Sequence, residues 1–459
     1  MNFRVADMFA VMLVTGVPVV GAEQIRIEQV GQQEQTSESI NYVTKTQQSL
    51  TAIELITRGV AGTPGAWFTQ KVGPGSGGDI RYENVSSIKL IDSPAKIDLK
   101  STGPDSLAGS TNDNFSAQPG DAGPITFKSS GTLTREPSNL DSDNYAMTVL
   151  TRPGNWSLNG RGYTNIDTKL KYGVDLHGRA GASVTIELES SVTRAGKGAG
   201  IVARTIGGMG AGRKVENANI GGGSDYPGGS GGTATLTMSD STVSATGTAI
   251  ALFSEGAYLD SGDTYDIRPG GNGGKVVAQI QSNSTIKTSG NYGHGLVAQS
   301  LGGDRSNSGG ATVRFATRRT TGAGGDGGDV SVSIDATSLI STTGELAYAV
   351  FAQSSGGGGA AGVGEAGLIA AQGRAGGVAG SGGNVLVQND GVIKTGADNS
   401  IGIFAVGIGG GRLGVGGEVT QQSGGAGGAA VALSGLVPAF AAGGEGGSGG
   451  SGPAVTVKH

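Results

Sequence analysis

A unit of three short β-prone segments followed by a glycine run recurs along this chain, and that recurrence limits the fold more than any local motif does. The clearest copy reads Gly327-Gly328-Asp329-Val330-Ser331-Val332-Ser333-Ile334, then Leu339-Ile340-Ser341-Thr342-Thr343-Gly344, then Tyr348-Ala349-Val350-Phe351-Ala352-Gln353-Ser354. Another occupies 382–411, earlier ones start at Val184, Ala234 and Val276, and a weaker one starts at Ile125. The first apolar residues of the third segments are Met147, Ile201, Ile250, Leu296, Val350 and Ile403, spaced by 54, 49, 46, 54 and 53 residues. The middle segments contribute Leu133, Val192, Val243, Ile286, Ile340 and Ile393. Spacing inside the unit holds while the glycine-rich excursions absorb most of the length change, as surface loops on stacked coils do.

Side-chain parity points the same way. Val184/Ile186/Leu188, Val276/Ala278/Ile280 and Val330/Val332/Ile334 alternate with mostly polar residues, which is the period of a strand with one buried face. In the third segments Ile201/Ala203, Ile250/Leu252, Leu296/Ala298, Val350/Ala352 and Ile403/Ala405 are expected inside, with Arg204, Gln299, Phe351 and Gln353 outside. Three short strands cannot bury their apolar faces alone, whereas stacked coils can. The expected fold is therefore all-β: a right-handed parallel β-helix, or solenoid, with long glycine-rich surface loops.

Copies such as Asn291-Tyr292-Gly293-His294-Gly295-Leu296-Val297-Ala298-Gln299-Ser300-Leu301-Gly302-Gly303, and the stretch from Tyr348 to Gly359, resemble the repeats of autotransporter passenger domains of Gram-negative bacteria. The resemblance covers 181–459 and fades before 125. It implies a secreted, surface-exposed solenoid that reaches the cell surface by way of the periplasm, and the expected function is non-enzymatic, in adhesion or cell-surface interaction. Its partners would be molecules on a host or neighbouring cell. That family continues into an outer-membrane β-barrel, the translocator, whose alternating strands are missing from this sequence. The chain is accordingly expected to be a passenger fragment, a truncated product, or a passenger whose barrel is encoded separately.

Glycine is uneven, with 15 of the 90 in residues 1–150. Such runs read as disorder when nothing else patterns them, but the period-two segments between them argue for order. Aromatic content of 5% disfavours a broad globular core, and the net charge of −5 shows no basic run along the sequence, so no nucleic-acid partner is expected. There is no cysteine, which rules out a disulfide framework.

Four regions follow. Residues 1–22 read as a signal peptide, with Arg4 before apolar runs and Val20-Gly21-Ala22 at the cleavage position, leaving Glu23 as the mature first residue. The apolar run falls short of the ~20 residues a transmembrane helix needs. Residues 23–124 are more charged and are expected to be an irregular N-terminal cap region, although Ile53 and Ile97 fit the repeat spacing loosely. Residues 125–411 hold the β-helix repeats. Residues 412–459 hold a glycine-rich loop and, at Ala454-Val455-Thr456-Val457, the start of another repeat.

Candidate chemistry is sparse. Gly293-His294-Gly295 matches one element of the polygalacturonases, β-helix glycoside hydrolases, but the paired carboxylates of that chemistry have no counterpart, so His294 is expected to be a solvated corner residue. A Ser-His-Asp triad would need His177, His294 or His459, no Gly-x-Ser-x-Gly elbow lies in a strand-turn-helix context, and the short match Asp260-Ser261-Gly262 lacks a partner. Gly324-Gly325-Asp326-Gly327-Gly328-Asp329 resembles one calcium nonapeptide of toxin-type β-rolls, without the tandem copies such sites need. Three scattered histidines make no zinc site. The expectation is no catalytic residue, no cofactor-binding residue and no metal ligand. A polysaccharide-acting β-helix enzyme or a non-functional export product are the competing readings.

Overall fold

The computed structural model describes residues 23–30, 37–60, 76–91, 96–105, 119–135, 145–155, 177–196, 198–210, 227–257, 269–303, 323–359, 376–410 and 448–459, with isolated short strands between 312 and 442. Among these residues there is no helix. The strands form a parallel β-helix whose successive coils each contribute a first, a second and a third strand.

The first strands build a nine-stranded parallel sheet: 40–44, 80–84, 125–129, 184–189, 234–239, 276–281, 330–334, 385–389 and 455–458. Its inner column runs Ile80, Ile125, Val184, Ala234, Val276, Val330, Val385, each the direct neighbour of the next. Third strands align Ile53, Ile97, Met147, Ile201, Ile250, Leu296, Val350 and Ile403 in the same way. β-Branched side chains suit this setting because they are stiff and pack well on a pleated face. The inward residues of all coils join one apolar cluster running the length of the stack.

The described residues between 40 and 102 form regular strands rather than an irregular cap. The strand Gln48–Arg58 pairs in register with Ser87–Leu90 over its first part and with Lys96–Thr102 over its second. It therefore serves as second and third strand of one coil without a corner between them, which is why its repeat is hard to see. The strand Glu23–Val30 lies against it in parallel. Regular coils thus begin at Ile40 rather than at Ile125.

Two further expectations need correction. In the second strands Leu133 aligns with Thr193, not Val192, and Thr193 aligns with Val243. A buried threonine stands in the core column there, 2% exposed, and its apolar neighbour Val192 faces outward. Secondly, Val350 and Ala352 do point inward, but Phe351, Gln299 and Gln353, outward by parity, are 1%, 4% and 0% exposed. Val202, Ala251, Val297, Tyr348 and Phe351 form a second apolar cluster behind the third strands. Beside it Gln299 donates from Nε2 to Gln353 Oε1 at 2.6 Å, which gives each buried amide a hydrogen-bond partner. Arg204, at the same register, remains outward, paired with Glu255 at 3.0 Å and lying over the Phe253 ring.

Candidate functional site

Corners differ in what they carry. First and second strands are joined by a few residues, as at 189–192, 239–242 and 281–285. Ser190, Asp240, Ser282 and Asn283 make those turns with φ between 48° and 59°. Small polar side chains hydrogen-bond locally and so tolerate this left-handed region better than most. The long excursions instead leave after a third strand and return before the next first strand: 58–80, 102–125, 152–184, 206–234, 255–276, 301–330, 355–385 and 408–455. One edge of the rod therefore carries the bases of these excursions.

Two hydrogen-bonded columns hold that edge. The first is made of hydroxyls at equivalent third-strand positions: Thr57, Ser101, Thr151, Thr205, Ser254, Ser300 and Ser354, all 0% exposed. Ser300 Oγ donates to Gly274 O at 2.7 Å and accepts from Gly328 N at 2.7 Å. Ser254 and Ser354 make the same pair of contacts with Gly232/Gly274 and Gly328/Gly383. The threonines reach forward instead, to Gly78, Ala182 and Gly232 carbonyls of the next coil. The column ends at Gly407, the partner of Ser354, where the Pro453 ring fills the space and brings no N–H to satisfy.

The second column is backbone alone. Gly229 donates to Gly208, Ala257 to Gly229, Gly271 to Ala257, Gly303 to Gly271, Gly325 to Gly303, Gly357 to Gly325 and Gly380 to Gly357, at 2.7–3.2 Å. Leaving and returning legs of successive excursions alternate along it. A Cβ on Gly271, Gly325 or Gly380 would collide with a carbonyl one coil away, so this approach requires glycine. The glycine at the loop bases is packed structure, not disorder.

His294 is not solvated. It is 2% exposed, its ring stacks on Tyr348 with centroids 5.0 Å apart, and its Nδ1 accepts the Tyr348 N–H at 3.0 Å. Its register partner is Tyr348, which in turn stacks with Phe351 and Phe404. Burial pushes the imidazole pKa down to about 4, so the ring is neutral at physiological pH and unsuited to general acid–base work there. His177 is exposed, and His459 sits beside Asn389, far along the chain from either.

Asp326 and Asp329 use their carboxylates on backbone. Asp326 Oδ1 accepts from Ser381 N at 2.7 Å and Asp329 Oδ1 from Asn384 N at 2.8 Å, each in the next coil. Among the described residues no group of three or more His, Asp or Glu could hold a metal ion. The signal-like segment 1–22 and Asp260-Ser261-Gly262 lie outside the described residues. None of the described helices is long and apolar enough to cross a membrane, there being no helix.

Fold and edge together define a parallel β-helix whose long excursions are rooted along one edge. No family model matches the chain, and comparison with curated proteins and with solved structures finds no match.

Proposed function

We propose that this chain is a secreted, surface-displayed rod that acts in adhesion or cell contact without catalysis, in the manner of an autotransporter passenger. The observation that carries the reading is the edge: every long excursion between 206 and 455 leaves and returns at one corner, and two hydrogen-bonded columns fix the loop bases. A rigid scaffold presenting many variable loops on one side is an arrangement suited to binding, with function in the loops and stability in the stack. The resemblance of Asn291–Gly303 and Tyr348–Gly359 to passenger repeats supports the same assignment. Export begins with cleavage after Ala22, and the partners are molecules on another cell's surface.

Expression in a Gram-negative host tests the first half: N-terminal sequencing of exported protein should start at Glu23. Retention in the cytosol with Met1 intact would remove the localisation. For the second half, beads coated with the purified chain should bind cells. Replacing 304–322 and 360–375 by short glycine linkers should reduce binding while the melting temperature stays close to that of the parent. Unchanged binding would reject the loops as the contact surface.

A further inference from the structure

The outer face of the second strands carries a column that the linear sequence conceals. Register places Lys89, Thr134, Arg194, Ser244, Lys287, Ser341 and Lys394 one above another, each the direct partner of the next. Cations and hydroxyls alternate strictly, so a positive charge recurs every second coil. These residues lie 43 to 60 positions apart in sequence, which is why no basic run is visible there. Lys89, Arg194, Lys287 and Lys394 are exposed, and Arg194, Lys287 and Lys394 make no ion pair among the described residues. None of the second strands contains an acidic or an aromatic residue. Acids such as Asp240, Asp335 and Asp390 stand at the short corners before these strands. Asp335, for one, is held by Ser282 N, Thr337 and Ser338: burial works to raise its pKa, but these hydrogen bonds keep it below the usual value. The long excursions leave the stack at a different corner, after the third strands.

We propose that this face binds a linear acidic polysaccharide lying along the rod axis, with one carboxylate or sulfate on every second sugar. Parallel strands stack about 4.8 Å apart, so the cations recur at about 9.6 Å and the column from Lys89 to Lys394 spans roughly 29 Å. That period is comparable to the advance of an extended disaccharide, and the hydroxyls between cations meet the intervening neutral sugar. Val192, Leu339 and Val392, beside the column, offer apolar contact to sugar ring faces. Nucleic acid fits less well. Its duplex phosphates recur at about 3.4 Å per strand, and single strands want aromatic platforms that this face lacks. The proposal goes beyond the loop-mediated contact above and does not depend on it, since it concerns another face.

The test is binding of the purified full chain to immobilised hyaluronan, which carries one carboxylate per disaccharide, with neutral dextran and duplex DNA as the other arms. Hyaluronan should bind, more weakly as salt rises, and dextran should not. Combining Arg194→Ser, Lys287→Ser and Lys394→Ser should weaken binding by at least about tenfold, since each exposed ion pair contributes little alone. The decisive variant is Lys287→Ser with Ser341→Lys. It keeps the charge and breaks the two-coil period, and should bind at least about threefold more weakly. Equal affinity in that variant, tighter binding of DNA than of hyaluronan, or no hyaluronan binding at low salt would each overturn the proposal. Loss of cell binding on loop replacement, with hyaluronan binding intact, would separate the two surfaces.

Discussion

Ser300 shows how one small side chain can tie two coils. Its hydroxyl is fully buried and joins a carbonyl of its own coil to an amide of the next. Ser300→Ala leaves both backbone groups without a partner, which should cost about 2–4 kcal/mol, read as a fall in the denaturant midpoint. A change within error would mean the hydroxyl column is incidental. His294 acts through its neutral form. The unfolded imidazole titrates near 6.5 and the folded one near 4, so as pH falls through this window the unfolded state binds the extra proton and stability drops. The loss by pH 4 should be about 3 kcal/mol. His294→Asn, which can still accept the Tyr348 N–H, should flatten that part of the pH–stability curve. Identical acid profiles would show that His294 is not buried as described. Neither role was visible in the sequence. Gly293-His294-Gly295 looks like a turn, and only the coil register brings the ring onto Tyr348. The serine column looks like ordinary polar alternation until the glycine leads are folded against it.

At the scale of the strand and its loop base, glycine is the informative residue. Gly325 and Gly449 look alike in sequence, yet a Cβ on Gly325 would strike Gly271 O, while one on Gly449 meets nothing within 4 Å. Gly325→Ala should therefore lower stability by about 2 kcal/mol, as overpacking against fixed backbone does, and Gly449→Ala should change it little. Equal effects would remove the packed column at the loop bases. Elements with inward alternation were legible: the third-strand series from Met147 to Ile403 and the first-strand series from Ile125 to Val385 pair as the spacing implied. Parity gave direction but not burial. Phe351 and Gln353 face away from the core as read, yet are covered, because a second layer of contacts is a tertiary property that period two does not encode. Val192 misled because it is more apolar than Thr193, whereas the corner before it, with Ser190 at φ 51°, sets the register by one residue. The strand Gln48–Arg58 hid a coil because it lacks a corner.

For the whole molecule the central claim is the stack itself, one coil per repeat. Its stability resides in neighbour-to-neighbour contacts, so each coil should contribute an increment of length as well as of energy. The outward first-strand column Lys128, Glu187, Thr237, Gln279, Ser333, Gln388, half-buried to exposed, supplies a ruler, since each residue is the direct partner of the next. The chain has no cysteine to interfere with labelling. A spin label fixed at Lys128→Cys can be paired in turn with one at Thr237→Cys, Gln279→Cys, Ser333→Cys and Gln388→Cys, and the distances measured by pulsed electron resonance. The account predicts a steady increase of about 4.8 Å per coil along that series, although successive positions of the second label are separated by 42 to 55 residues of chain. Distances that jump irregularly, fail to increase, or fall as the second label moves toward Gln388 would contradict the stacked β-helix.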